Sequence, residues 1–148
     1  MTEKVKVIIK CFKHGEFQQS PGNHLQNNGC PKCRSVISKP EIKFLDLLDI
    51  KIRHLTLKKY PSKIVDGYDD KTNTIYEFLG DYWHGNPVKF DHNNINKHTK
   101  KTFGELYTNT FKIFDKLKSL GYNIKYIWET DWKKYIKGIS SCINIIDY

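Results

Sequence analysis

The sequence predicts an α/β protein in which a core of helix, three strands, long loop, helix and strand over residues 38–148 follows a small zinc-binding β-hairpin module over residues 1–37. Three observations lead there. Beyond Ser38, short β-rich runs alternate with segments of helical period. Three of the 4 cysteines lie in the first 33 residues, in a region with few large apolar side chains. No apolar run approaches the roughly 20 residues of a membrane span.

Length and charge bound the function. A chain of 148 residues builds one ordinary core with a small satellite module. Lys and Arg number 25 against 16 Asp and Glu, a net charge of +9. The excess is spread along the chain, with seven basic and two acidic residues in 1–39 and eighteen and fourteen in 40–148. A polyanion is the partner such a balance favours; a merely solubilising lysine surface is the alternative. The opening "MTEKVKVIIKCFKHG" has neither the apolar core nor the small-residue cleavage site of a signal peptide, so a soluble intracellular protein is expected. Cys142 stands far from the other three cysteines, a placement unlike a disulfide framework.

The first module is read from its ligand spacing. Cys11-x-x-His14, fifteen intervening residues and Cys30-x-x-Cys33 form two turn-borne pairs that would complete a tetrahedral zinc shell. Gly15 and Gly29 beside the inner ligands favour those turns, and "EFQQSP" between them reads as a strand. The outline is that of a treble clef: knuckle, hairpin, then ligands at a helix start. His24 is the alternative fourth ligand. Four protein ligands leave no open position, so this Zn2+ would be structural, and Lys13, Lys32 and Arg34 (with Lys10) would turn a cationic surface toward DNA phosphates.

The core is read element by element. Ser38 and Glu41 have capping-box spacing with Pro40 in the first turn, and Ile42, Phe44, Leu45 and Leu48 supply an apolar stripe. Strands follow in "KIRHLTLKKYP", "SKIVDGY" and "NTIYEFLG", the last two joined by the turn "DDKTN". Residues 80–102 read as polar and irregular. A helix then carries Phe103, Leu106, Tyr107, Thr110, Phe111, Phe114 and Leu117 at helical spacing and stops at Gly121. "NIKYIWETDW" reads as a last strand, with a short helix after it.

Alternation puts Glu77 on one strand face with Ile75 and Leu79, and Asp66 on one face with Ile64 and Tyr68. Two carboxylates on neighbouring strands among apolar residues repel each other and lose solvation unless a cation neutralises them. Oxygen ligands of this kind suit Mg2+, which keeps waters and can hold a phosphate. Trp83 just beyond offers a flat side chain able to stack on bases or wedge between them.

The run "IVDGYDDKTNTIYEFLGDYWHGNP", with the ending "LGYNIKYIWETDW", resembles the Vsr-like (very-short-patch repair and homing-type) branch of the PD-(D/E)XK endonuclease superfamily, over about residues 38–135. The module before it resembles zinc modules fused to such nucleases in phage and large-virus proteins. The resemblance implies a restriction-endonuclease-like core. It also implies Asp66 as a metal ligand, the backbone carbonyl of Phe78 as another with Glu77 as its neighbour or substitute, His84 as the group that activates water, and Glu41 as an orderer of metal-bound water. The chain departs from the family at Thr110, where a second acid stands, and at Leu79, the superfamily's lysine position.

The function expected from these readings is a Mg2+-dependent DNA endonuclease with catalytic residues Glu41, Asp66, Glu77 and His84, aided in DNA binding by its zinc module and acting in the host cell of a phage or large virus. The metal would act as Lewis acid and source of the nucleophile. The alternatives are a catalytically inactive zinc-containing nucleic-acid-binding protein and a zinc-stapled protein-interaction domain.

Overall fold

A computed structural model describes residues 5–11, 15–25, 30 and 38–148 of the chain. They fall into two compact units, Met1–Ser38 and Lys39–Tyr148. In the first, β1 (Val7–Cys11) and β2 (Gly15–Gln19) pair antiparallel, with Val7 opposite Gln19 and Cys11 opposite Gly15. Gly15 takes the left-handed conformation (φ 74°) that its place after the turn requires. A short helix, α1 (Pro21–Leu25), follows, with proline in first position. The expected ligands His14 and Cys33, and the basic residues Lys13, Lys32 and Arg34, lie outside the described residues.

The second unit starts with α2 (Lys39–Leu47), which buries Glu41, Phe44 and Leu45. Its buried face follows positions 41, 44 and 45, and half-buried Leu48 just past its end continues the i, i+3, i+4, i+7 spacing of one helix side. Ile42, placed in the stripe by the sequence reading, falls off that spacing and is exposed. Strands β3 (Ile52–Thr56), β4 (Ile64–Asp69) and β5 (Thr74–Leu79) then run antiparallel in order. Asn73, at φ 52°, makes the β4–β5 turn with a residue type that tolerates the left-handed region.

A short helix, α3 (Asp81–His84), interrupts the segment expected to be irregular. The long helix α4 (Phe103–Ser119) is held at its start by a capping box between Thr102 and Glu105. It returns the chain to β6 (Asn123–Trp128), which lies parallel to β5 from Thr74↔Asn123 to Leu79↔Trp128. Helix α5 (Glu129–Ile136) and a two-residue strand β7 (Ile146–Asp147) complete a five-stranded mixed sheet of order β3-β4-β5-β6-β7.

Period-2 alternation divides the core between the two faces of this sheet. Ile75, Leu79, Ile124, Tyr126 and Trp128 pack with Phe114 and Leu117 of α4. Phe78 and Ile127 turn the other way, toward Phe44 and Leu45 of α2 and Trp132 of α5. The result is a mixed α/β fold with helices on both faces.

One difference from the sequence reading is caused by contacts remote in sequence. The expected last strand stops at Trp128 because α5 begins at Glu129, and Trp128 supplies no side-chain cap. Asp81 caps the helix from across the fold: its carboxylate accepts from the Thr130 peptide N–H (3.3 Å) and from the Thr130 hydroxyl. Glu129 in turn accepts from the Asp81 N–H at 3.2 Å. No helix among the described residues is long and apolar enough to cross a membrane.

Helix α3 ends at Gly85, whose φ is 68° and where a Cβ would lie 2.1 Å from the Phe103 carbonyl oxygen. Gly85→Ala is therefore expected to destabilise the fold by more than about 2 kcal/mol, through a left-handed backbone and a clash with backbone that has no room to yield. Urea denaturation with an unchanged m-value checks this; a loss below about 0.5 kcal/mol would refute the clash.

Candidate functional site: a buried charge cluster around Lys63

The regular β4–β5 ladder ends at Gly67↔Tyr76. One step further Asp66 meets Glu77, and the pattern changes: the Phe78 peptide N–H donates to Asp66 Oδ2 at 2.8 Å. Glu77 is 3% exposed. Its Oε2 accepts from the Lys63 ammonium at 3.0 Å, while Oε1 has no hydrogen-bond partner among the described residues. Lys63 stands at the entry to β4, in a segment whose other lysines, Lys58 and Lys59, are exposed.

Burial dominates the electrostatics. It pushes the Glu77 carboxyl up to about 8, helped by repulsion from Asp66 and opposed by Lys63 and the Asp66 peptide N–H. Burial also raises Asp66, against the Phe78 N–H and the positive charges of Lys63 and His54. For Lys63, burial works downward, but attraction to Glu77 and Asp66 outweighs it and its pKa is raised. Burial thus favours the protonated form of both carboxyl groups, and the Lys63 ammonium offsets part of the cost of ionising them.

Two further groups join it. Glu41 of α2 is buried on the core face of its helix, with Oε1 3.3 Å from His54 Nε2. His54 sits in β3 at φ 50°. His84, at the end of α3, places Nδ1 3.0 Å from Thr110 Oγ1, and the Thr110 hydroxyl donates to the Leu106 carbonyl at 3.0 Å. With its proton committed there, Thr110 can only accept from His84, so the neutral imidazole carries its hydrogen on Nδ1 and leaves Nε2 as an acceptor. Burial, and then the charge of Lys63, lowers the His84 pKa to about 4.

The predicted residues therefore divide. Asp66, Glu77 and His84 all feel the charge of Lys63. Glu41 reaches the group through His54, whose charge acts on Asp66. Trp83 lies outside the cluster, 55% exposed, with its ring centroid 5.3 Å from Tyr82 and 5.5 Å from His98. The Phe78 ring packs in the core against Phe44 and Trp132. Sequence reasoning missed Lys63 and His54. Lys63 had the appearance of one more solvated lysine in "KKYPSK", and only the pairing of β4 with β5 brings it to Glu77.

The expected metals are corrected by this arrangement. Among the described residues, which include Cys11 and Cys30, no group of three or more His, Cys, Asp or Glu is placed to hold a metal ion. The cation that Asp66 and Glu77 require is the ammonium of Lys63, Asp66 Oδ2 is taken up by a peptide N–H, and Glu41 faces His54. Among the described residues, outside which His14 and Cys33 lie, the Mg2+ and Zn2+ expectations both fall on this finding. With them fall the metal-dependent endonuclease, its Asp66, Glu77 and Phe78 metal ligation, and the alternative of an inactive zinc-containing nucleic-acid-binding protein.

The class defined by fold and site is thus a mixed α/β domain built around a buried, lysine-neutralised carboxylate pair. Among known families, one described as a protein of unknown function (DUF723) matches residues 2–34, a stretch that precedes this domain. No curated protein and no solved structure matches the chain.

The cluster makes stability depend on pH with a definite sign. Glu77 titrates at about 8 when folded against an ordinary 4.5, so between these values the folded state holds a proton the unfolded chain has lost, and stability falls as pH rises. His84, at about 4 against 6.5, acts oppositely: stability rises with pH between these values. The two effects oppose each other up to about pH 6.5; above it His84 no longer contributes and Glu77 governs the slope, with Asp66 raised in the same direction. The melting temperature is expected to fall from pH 6.5 to 8, and Glu77→Gln to flatten that limb. A wild-type melting temperature that climbs over this interval would contradict the assignment.

Proposed function

We propose that this protein binds duplex DNA through positive charge and an exposed aromatic side chain, with no metal in the contact. The observation that carries the reading is Trp83: a large aromatic, 55% exposed, braced between Tyr82 and His98, on a chain of net charge +9. Leaving so much indole in water is unfavourable unless a partner covers it, and a flat, fixed ring suits stacking on a base or wedging between base steps. Of the acidic groups, Glu41, Glu77 and Asp81 are buried and oppose a polyanion weakly, while Asp91 and Glu105 stay exposed. Lys13, Lys32 and Arg34 of the first unit belong to the same DNA-binding reading.

Kinship of residues 38–148 with the Vsr-like branch of the PD-(D/E)XK superfamily is part of this proposal. What supports it is the element order, helix, three antiparallel strands, helix and parallel strand, together with Asp66 and Glu77 on adjacent strands and Trp83-His84 after them. A hairpin followed by a helix supports the treble-clef-like outline of the first module. The reading places the protein inside the cell, with an origin in a phage or large virus.

Fluorescence anisotropy with a short labelled duplex tests the reading. Binding is expected to weaken linearly in log K against log salt. Trp83→Ala should cost about 1–3 kcal/mol of binding free energy without changing that slope. No binding at low salt, or wild-type affinity in Trp83→Ala, would overturn the reading or the role of the tryptophan respectively.

A further inference from the structure

Residues 86–102 form no helix and no strand beyond a single bridge between Ile95 and Thr102, yet they are tightly held. Asn96 is fully buried. Its Nδ2 donates to the Tyr82 carbonyl at 2.8 Å, and its Oδ1 accepts from the peptide N–H groups of His98 and Thr99, each at 3.0 Å. Its own N–H donates to the Lys101 carbonyl (2.8 Å), and its carbonyl accepts from Lys100 N–H (2.9 Å). Lys100 is held at φ 61°. Phe90 stacks on Phe103 with centroids 4.2 Å apart and planes 12° apart, and the Tyr82 hydroxyl lies 3.0 Å from His98 Nδ1. Because His98 also contacts Trp83, the loop and the exposed indole are one assembly.

Charge on this scaffold has a single sign for practical purposes. Lys89, Lys97, Lys100 and Lys101 are all exposed, and Asp91 is the one acid between residues 86 and 102. None of the four makes an ion pair among the described residues, whereas Lys51, Lys63, Lys125, Lys133 and Lys134 each have a carboxylate partner. A merely solvated lysine surface needs no buried asparagine and no stacked rings to hold its backbone. Long irregular segments inside a compact domain are kept rigid when they bind something, because ordering them beforehand lowers the cost of association.

We propose that the 86–102 loop is a preformed phosphate contact for DNA, with Lys89, Lys97, Lys100 and Lys101 taking backbone phosphates beside Trp83. This rests on the DNA-binding reading above and names the surface that carries its electrostatic part. Lysines neutralise phosphates and release condensed counterions, and the number of contacts appears directly in the salt dependence of binding.

The test compares two variants of the full chain with equal net charge. One is K89A/K97A/K100A/K101A; the control is K43A/K71A/K112A/K116A, which removes four other exposed lysines. Far-UV circular dichroism and melting establish that both fold, as substitutions at exposed positions should. With a labelled duplex over a potassium chloride series, the loop variant is expected to bind at least about tenfold more weakly. Its slope of log K against log salt should be shallower by about 3, and the control slope by less than about 1. Equal losses in both variants would overturn the proposal and leave only overall charge. A wild-type slope in the loop variant would overturn it while DNA binding stands, and a wild-type chain that ignores DNA would remove both readings. Tighter binding of the loop to a polyglutamate peptide than to the duplex would reassign the surface to an acidic protein.

Discussion

The 39–148 unit depends on how it neutralises two carboxylates that its own strands bring together. Asp66, half-buried, and Glu77, buried, meet where the β4–β5 ladder ends, and burial makes ionising them costly without a counter-charge. Lys63 supplies that charge at 3.0 Å from Glu77. Burial, and then the same ammonium, holds the His84 imidazole neutral, so the charge of Lys63 is felt by all three groups while burial sets the direction of each shift.

Neutral His84 is useful to the fold in a particular way. Thr110 gives its proton to Leu106 and accepts from His84 Nδ1, tying α3 to α4 through a bond whose direction is determined. That tie places the end of α3 and, next to it, Trp83. Asp81 at the start of the same short helix caps α5. Helix α3 is only four residues long, yet its side chains anchor two longer helices, and the exposed indole between those anchors is positioned by both ends. Buried polar groups serve as fasteners at α3, while the loop beyond it keeps its lysines in solvent.

The contrast between paired and unpaired lysines organises the molecule's charge. Lys63 is half-buried and belongs to the carboxylate cluster; Lys133 bridges to Glu129 at the start of α5. The lysines of residues 86–102 stand on a backbone fixed by Asn96 and by the Phe90–Phe103 stack, with no carboxylate claiming them among the described residues. Positive charge therefore serves two separate ends, internal neutralisation at one site and an outward surface at another.

By itself, the sequence determined the elements whose signal is local. Period-2 runs place β4 and β5, helical spacing places α4 and its buried Leu106, Phe114 and Leu117, and the Ser38–Pro40–Glu41 run marks the start of α2. It also set Asp66 and Glu77 on neighbouring strands, since alternation carries that information, while His84 entered through the family resemblance. What filled the space between the carboxylates was beyond it. Spacing shows that a cation is required and cannot show whether the chain supplies it, because Lys63 reaches Glu77 only through strand pairing. The start of α5, capped by Asp81 from another element, and the tautomer of His84, directed by Thr110 on another helix, were likewise decided by tertiary contacts. Hydrogen-bond direction and charge neutralisation are properties of atoms brought together, and residues far apart along the chain acquire them only when the backbone has closed.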